Sequence, residues 1–236
     1  TELFSLVPSR PFFPRGFYWD EGFHLLPLLQ YDSDLVLDIL KYWFVLIDDN
    51  GWIAREQILG PELRSRVPEQ FQTQSPEIVN PPTMMLALSY LLDQIRPDVE
   101  QPIEVKEFGT FADNDFKLGN VNLQNPQLLV NYTKNLYPNF KKHYEMFRRT
   151  QKGFVEDFER YNWKEVYRWR GRTVDYCLAS GMDDYPRVIP ADIAELNVDL
   201  VSWVGVMAQS MVLMAQILSL EDDVALYKGH IEQIMT

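Results

Sequence analysis

Between Asp192 and Leu218 the chain carries apolar side chains on nearly every face of a 3.6-residue period, in the run DIAELNVDLVSWVGVMAQSMVLMAQIL. A helix that is apolar all round needs neighbours on most sides, so this segment predicts a fold of packed helices with this one inside. The more polar stretch from Asp222 to Met235 reads as its partner. Helical spacing recurs upstream. From Ser33, read as an N-cap, Leu35, Ile39, Leu40, Trp43, Phe44 and Ile47 follow at three- and four-residue steps until Asp48-Asp49-Asn50-Gly51 ends the pattern. Pro82 suits the first turn of a helix running through Met84, Met85, Leu88 and Leu91 to a stop before Pro97. Gln127 to Leu136 and Asn139 to Arg149 read as two helices separated by Pro138. Strand signals are short, chiefly Val166 to Trp169, and an all-α fold is expected.

Long connections, residues 48 to 80 and 153 to 191, lie between these helices, with a charged surface insertion expected from Asp93 to Asn125. Loops this long inside compact domains are usually functional, and helical hairpins would gather them at one end. With 236 residues, 46% hydrophobic and 14% aromatic, the chain has ample material for a buried core. Its formal charge of −12 argues against nucleic acid phosphates or an anionic membrane surface as partners. Neutral, hydroxyl-rich ligands suit it better. Cys177 is the single cysteine, which rules out an intrachain disulfide, and His24, His143 and His230 stand too far apart for metal-ligand spacing. No metal and no cofactor are expected. No stretch holds eighteen uninterrupted apolar residues and no signal-peptide pattern opens the chain, so it reads as soluble. The sequence Asn131-Tyr132-Thr133 is a glycosylation sequon, compatible with a secretory route.

Within FFPRGFYWDEGFH, residues 12 to 24, Trp19, Asp20 and Glu21 stand side by side among other aromatic rings, Phe17 included. Aromatic faces stack on the C–H faces of a pyranose while carboxylates accept hydrogen bonds from its hydroxyls. A buried aromatic cluster beside a solvated acidic turn has the same composition. The loop GWIAREQILG, residues 51 to 60, sets Trp52 close to Arg55 and Glu56, which read either as a surface ion pair or, with the loop tryptophan, as a binding element. Downstream comes Asn80 before Pro81-Pro82, and then SGMDDYPR, residues 180 to 187, where Gly181 permits an unusual backbone angle ahead of Asp183, Asp184 and Tyr185.

Taken together with AELNVDLVSW, residues 194 to 203, these motifs resemble, in order and wording, the eukaryotic processing α-glucosidases of glycoside hydrolase family sixty-three. A looser likeness to trehalases rests on Tyr18-Trp19-Asp20, Asn80-Pro81-Pro82 and Ser180-Gly181-Met182-Asp183. The resemblance implies an (α/α)6 toroid with its site in a funnel of loops, of which residues 1 to 236 would be about half, the N-terminal part of the catalytic domain. It implies hydrolysis, with inversion, of the terminal α-1,2-linked glucose of the Glc3Man9GlcNAc2 N-glycan in the endoplasmic reticulum lumen. Asp183 matches the family's general acid. Phe17, Trp19, Asp20, Glu21, Trp52, Arg55, Glu56, Asn80, Asp184, Tyr185, Glu195 and Asp199 fall on its substrate-binding segments.

Glu195 and Asp199 are spaced one helical turn apart, so both can face one ligand or form a first-turn acidic pair. In the family the general base comes from later helices, so the partners expected are the glucosylated N-glycan and the C-terminal half of the same domain. A β-rich N-terminal domain and a type II membrane anchor would belong to the parent protein. Two alternatives stay open on the sequence: a trehalase-like hydrolase of a free disaccharide, and a sugar-binding half-domain without catalysis.

Overall fold

A computed structural model of the protein describes residues 2–95 and 119–236. The central part of the charged segment expected after Asp93 lies outside the described residues, as does Pro97. The helices, in chain order, are α1 (Tyr18–Leu28), α2 (Ser33–Phe44), α3 (Gly60–Ser65), α4 (Glu69–Gln72), α5 (Thr83–Asp93), α6 (Val121–Gln124), α7 (Pro126–Thr150), α8 (Val198–Ile217) and α9 (Glu221–Met235). Among the described residues there is no strand. The strand signal at Val166 to Trp169 amounts to one isolated bridge, Tyr167 with Lys152, and the fold is all-α.

Two layers result. Helices α1, α5 and α8 follow one another in contact, α1 against α5 and α5 against α8. Behind them stand α2, α7 and α9. Helix α2 touches α7, and α7 meets α9 through Tyr137 and Lys141 on Asp223, and through Tyr144 against Tyr227. Gly22 allows the closest approach in the first layer, since a Cβ there would lie 2.3 Å from the Thr83 backbone. The first turns of α1 and α5 are thereby brought side by side.

Helix α8 is long and apolar enough by composition to cross a membrane, with a mean hydropathy of 1.6. One stripe of it packs into the core, with Leu200, Val204, Met207, Ala208, Met211 and Met214 fully buried, while Val201, Trp203, Val206, Val212 and Leu213 are half-buried and Val198 is exposed, so the burial on most sides that its composition predicts is not reached among the described residues. It begins at Val198 rather than Asp192, because Asn197 is held in an extended conformation: its N–H donates to the Tyr167 carbonyl and its Oδ1 accepts from the Trp169 N–H. Other boundaries also move. Asp32, not Ser33, caps α2, its carboxylate accepting from the Leu35 N–H at 2.8 Å. Pro138 does not divide α7, which continues through it; Pro138 and Lys134, whose carbonyl loses its donor to the proline, both stand on the exposed face of the helix. Within the opening motif the acidic turn proves to be the first turn of α1, and residues 18 to 24 are helical.

A buried polar chain ties the layers together. Gly51, at φ +90°, sits so close to α7 that a Cβ would come within 2.1 Å of the Lys142 carbonyl. Its own carbonyl lies 2.7 Å from His143 Nδ1, which therefore carries the proton, and Tyr18 donates its hydroxyl to Nε2 at 2.6 Å. Burial holds His143 down at about 4, so it stays neutral, and pushes the Tyr18 phenol far up. Tyr18, Trp43 and His143 pack edge to face around this chain.

Candidate active site

The first turns of α1, α5 and α8 lie at one end of their layer, and the two long connections close over that end. The segment 53 to 57 runs beside residues 16 to 18: the Tyr18 N–H donates to the Arg55 carbonyl at 2.9 Å, and the Gln57 N–H to the Gly16 carbonyl at 3.0 Å. Gln74 pairs with the Glu56 backbone through both its carboxamide atoms. Glu56 is thus drawn inside, 4% exposed.

A carboxylate that far from water needs compensating charge. Arg15 supplies it from one side, with Nε and Nη2 at 2.8 and 2.6 Å, and Arg55 from the other. Arg15 is itself buried and lies over the Phe17 ring, 4.8 Å from its centroid. The pair Arg55–Glu56 is therefore a buried triad with Arg15, not a surface salt bridge. Arg15 escapes the motif pattern; its signal in the sequence is an arginine enclosed between Phe13 and Phe17 in an acidic motif.

Asn80 fixes the acidic loop. Both carboxamide hydrogens are given away, to the Leu178 carbonyl at 3.0 Å and the Ala179 carbonyl at 2.9 Å, while its buried Oδ1 has no hydrogen-bond partner among the described residues. Ser180 closes the turn by donating to the Cys177 carbonyl. Gly181 adopts φ +73°, where any Cβ would also strike the Trp19 indole at 2.6 Å. Glycine is required there on both counts. The outcome is that Trp19, edge to face with Phe23, lies against the Gly181 backbone, two residues before Asp183.

The electrostatics report which groups share a space. Partial burial pushes the Asp183 carboxyl up; Arg55 pulls it down, and Asp184, Asp20 and Glu56 push it up further, for a net rise. Asp20 is raised as well, by burial first, against the pull of its own backbone, His24 and Arg55. Trp19, Asp20, Arg55, Glu56, Asp183 and Asp184 therefore form one cluster, with Asn80 beneath it. Asp183, Asp184 and Tyr185 are all exposed, so the burial that Asp183 feels is that of an open surface site, and Arg187 stacks on the Tyr185 ring.

Four expected members stand elsewhere. Glu21 is 1% exposed and turned to the N-terminal segment, where it accepts from Ser5 Oγ and the Leu6 N–H. Trp52 donates its indole N–H to the Ile78 carbonyl at 2.9 Å and packs on the core. Glu195 and Asp199 do not share a helix face, because α8 starts between them. Glu195 is an ion-pair partner of Arg172 at 2.7 Å and Arg187 at 3.5 Å, and Asp199 accepts from the Trp169 indole at 2.8 Å. Arg187 links this second cluster to the acidic loop by donating to Ser180 Oγ at 3.0 Å. Cys177 is fully buried and its thiol is pushed up by burial, so it is no nucleophile. Among the described residues no group of three or more His, Cys, Asp or Glu side chains is placed to hold a metal ion.

Residues 1–236 match the Glycosyl hydrolase family 63 C-terminal domain. The chain is 48% identical to the mannosyl-oligosaccharide glucosidase of Saccharomyces cerevisiae over 98% of its length, covering 29% of that protein. It is 47% identical to the "Probable mannosyl-oligosaccharide glucosidase" of Schizosaccharomyces pombe, over 97% of this chain and 29% of that protein. With a mannosyl-oligosaccharide glucosidase of Arabidopsis thaliana the identity is 37%, over 94% of this chain and 24% of the relative. The chain thus spans less than a third of the length of the curated relatives it matches.

Proposed function

Since the chain belongs to glycoside hydrolase family 63, we propose that it forms the acid-bearing part of an inverting exo-α-glucosidase. The substrate proposed is the terminal α-1,2-linked glucose of the Glc3Man9GlcNAc2 N-glycan, in the lumen of the endoplasmic reticulum. The observation that carries this reading is the seating of Gly181, two residues before Asp183, against the Trp19 indole, with the Asp183 carboxyl feeling the charges of Arg55, Asp184, Asp20 and Glu56. Asp183 is the proposed general acid. Its carboxyl is shifted upward, by burial first and then by the neighbouring carboxylates, which is the direction a proton donor to the glycosidic oxygen needs. Asp20 and Arg55 are proposed to orient the sugar hydroxyls, and Trp19 to stack on the ring.

Inversion also needs a base on the opposite face, roughly 6.5 to 9.5 Å from the acid, with room for water. That base, like the β-rich domain and the type II membrane anchor, is proposed to belong to the parent protein outside these residues. The layering of α1, α5 and α8 in front of α2, α7 and α9 supports three hairpins of an (α/α)6 toroid.

The test uses the full-length protein, offered the triglucosylated oligosaccharide and, separately, trehalose. Release of one glucose as the β-anomer from the oligosaccharide alone is expected. Release from trehalose alone would replace this reading with the disaccharide hydrolase, and no release from either would leave a binding domain.

A further inference from the structure

The sequon Asn131-Tyr132-Thr133 has no part in the cluster described above. It lies near the start of α7, in the outer layer, with Asn131 exposed and Gln127, Lys134 and Asn135 exposed around it. The carboxamide of Asn131 is touched only lightly, its Oδ1 accepting from the Gln127 side chain at 3.2 Å. The other two residues of the sequon face inward. Tyr132 donates its hydroxyl to the Leu37 carbonyl of α2 at 2.9 Å. Thr133 is 0% exposed and donates to the Leu129 carbonyl at 2.9 Å.

We propose that Asn131 is an N-glycosylation site whose glycan is attached before α7 forms and then rides on the outer face of the folded protein. The proposal rests on the secretory part of the reading above. In the transfer, the Asn131 carboxamide nitrogen bonds to the anomeric carbon of an oligosaccharide carried on a lipid diphosphate. The bond from that carbon to the diphosphate oxygen breaks, its electron pair leaves with the lipid diphosphate, and the nitrogen gives up one proton.

The order of events follows from geometry. Acceptor sequons are ordinarily surface loops, in which the threonine hydroxyl is open to the transferase. Here the helix buries that hydroxyl and commits it to Leu129, so the folded chain withholds half of the recognition element. Once attached, the glycan is no obstacle. Asn131 is exposed, and His143, the α7 residue bonded to Tyr18 beside Trp19, lies twelve residues or roughly 18 Å farther along the helix.

The experiment directs the full-length protein to the lumen with a cleavable secretory leader, so that the result does not depend on where the native chain resides. Enzymatic deglycosylation followed by mass spectrometry of the tryptic peptide ending at Lys134 should show Asn131 modified. Asn131→Gln should abolish that signal with unchanged melting temperature, since only the Gln127 contact is lost. In a second arm, unglycosylated protein is given a microsomal transferase and lipid-linked donor, either folded or unfolded in urea and diluted. The folded form should react at least about a hundredfold more slowly, because reaction waits on opening of α7. An unmodified Asn131 peptide from the lumenal protein would overturn the assignment, and equal rates for the folded and unfolded chains would overturn the order.

Discussion

Glu21 offers the sharpest test of how the opening motif is used. Its carboxyl lies 2.7 Å from Ser5 Oγ and 3.1 Å from the Leu6 nitrogen, while Ser5 Oγ is also 2.8 Å from the Leu6 carbonyl. A hydroxyl has one proton to give. With Glu21 protonated the chain closes: Glu21 donates to Ser5, Ser5 to the Leu6 carbonyl, and the Leu6 N–H to Glu21. With Glu21 ionised, Ser5 serves one acceptor and leaves the other. Burial raises this carboxyl from 4.5 to about 7, against the hydrogen bonds from Ser5 and Leu6. The folded state therefore binds the proton more tightly than the unfolded chain. The contribution to stability is complete below the unfolded value and is lost as the pH rises through the folded one.

Between pH 5 and pH 8 the loss is on the order of 2 to 3 kcal/mol, because a one-proton difference between the two states is worth about 1.36 kcal/mol for every pH unit over which it persists. Glu21→Gln reproduces the closed chain at every pH, its carboxamide donating to Ser5 and accepting from Leu6. The variant should be more stable than the parent at pH 8 by about 2 to 3 kcal/mol and within about 1 kcal/mol of it at pH 5. Urea unfolding at both pH values, with exchange of the Leu6 amide as a local probe, measures this. Equal pH dependence in the two proteins would refute the argument. A loss of inhibitor affinity with no change in stability would return Glu21 to the substrate.

Asp183→Asn in the full-length enzyme should lower turnover by orders of magnitude while inhibitor affinity is nearly kept, because a proton donor acts in the transition state. If Asp184→Asn did this and Asp183→Asn did not, the neighbouring carboxyl would be the acid. Gly181→Ala should cost about 1 to 3 kcal/mol from the left-handed backbone and, by pushing the loop off Trp19, should reduce turnover beyond its effect on stability. Calorimetry and kinetics on one preparation separate the two. Arg15→Ala strips one of two cations from a buried carboxylate and should destabilise by about 3 to 5 kcal/mol. A Glu56→Gln/Arg15→Met double variant should recover part of that loss in denaturant unfolding.

Some of this arrangement was legible in the sequence and some was hidden in three dimensions. The apolar run through Met207, Met211 and Met214 announced a helix with a face in the core, but the burial expected on its other faces is only partial among the described residues. Gly181 before paired aspartates announced a special turn. Asp20, Arg55 and Asp183 could be suspected from their motifs, but whether one space holds them depends on contacts across more than a hundred residues. The fate of Trp52 and Glu21 was settled by single hydrogen-bond partners, the Ile78 carbonyl and Ser5, that no local pattern names. The helical start at Tyr18 escaped because aromatic and acidic residues dilute the 3.6-residue signal. Asn197 shows the same limit: a partner 28 positions away, Trp169, decides where α8 begins.

The two hydrogens that Asn80 gives to Leu178 and Ala179 reach across 98 and 99 positions of chain. During synthesis the pre-proline asparagine is made long before the loop it must hold, and the aromatic platform of Trp19 earlier still. Contacts of such separation form late, since loop closure has to be overcome before they repay it. The hold of Asn80 on the acidic loop thus belongs among the later contacts expected within these residues. A chain in which Asn80 has not yet met Leu178 and Ala179 leaves the loop of Gly181 and Asp183 without this anchor, so the proposed acid is positioned only once that long-range contact exists.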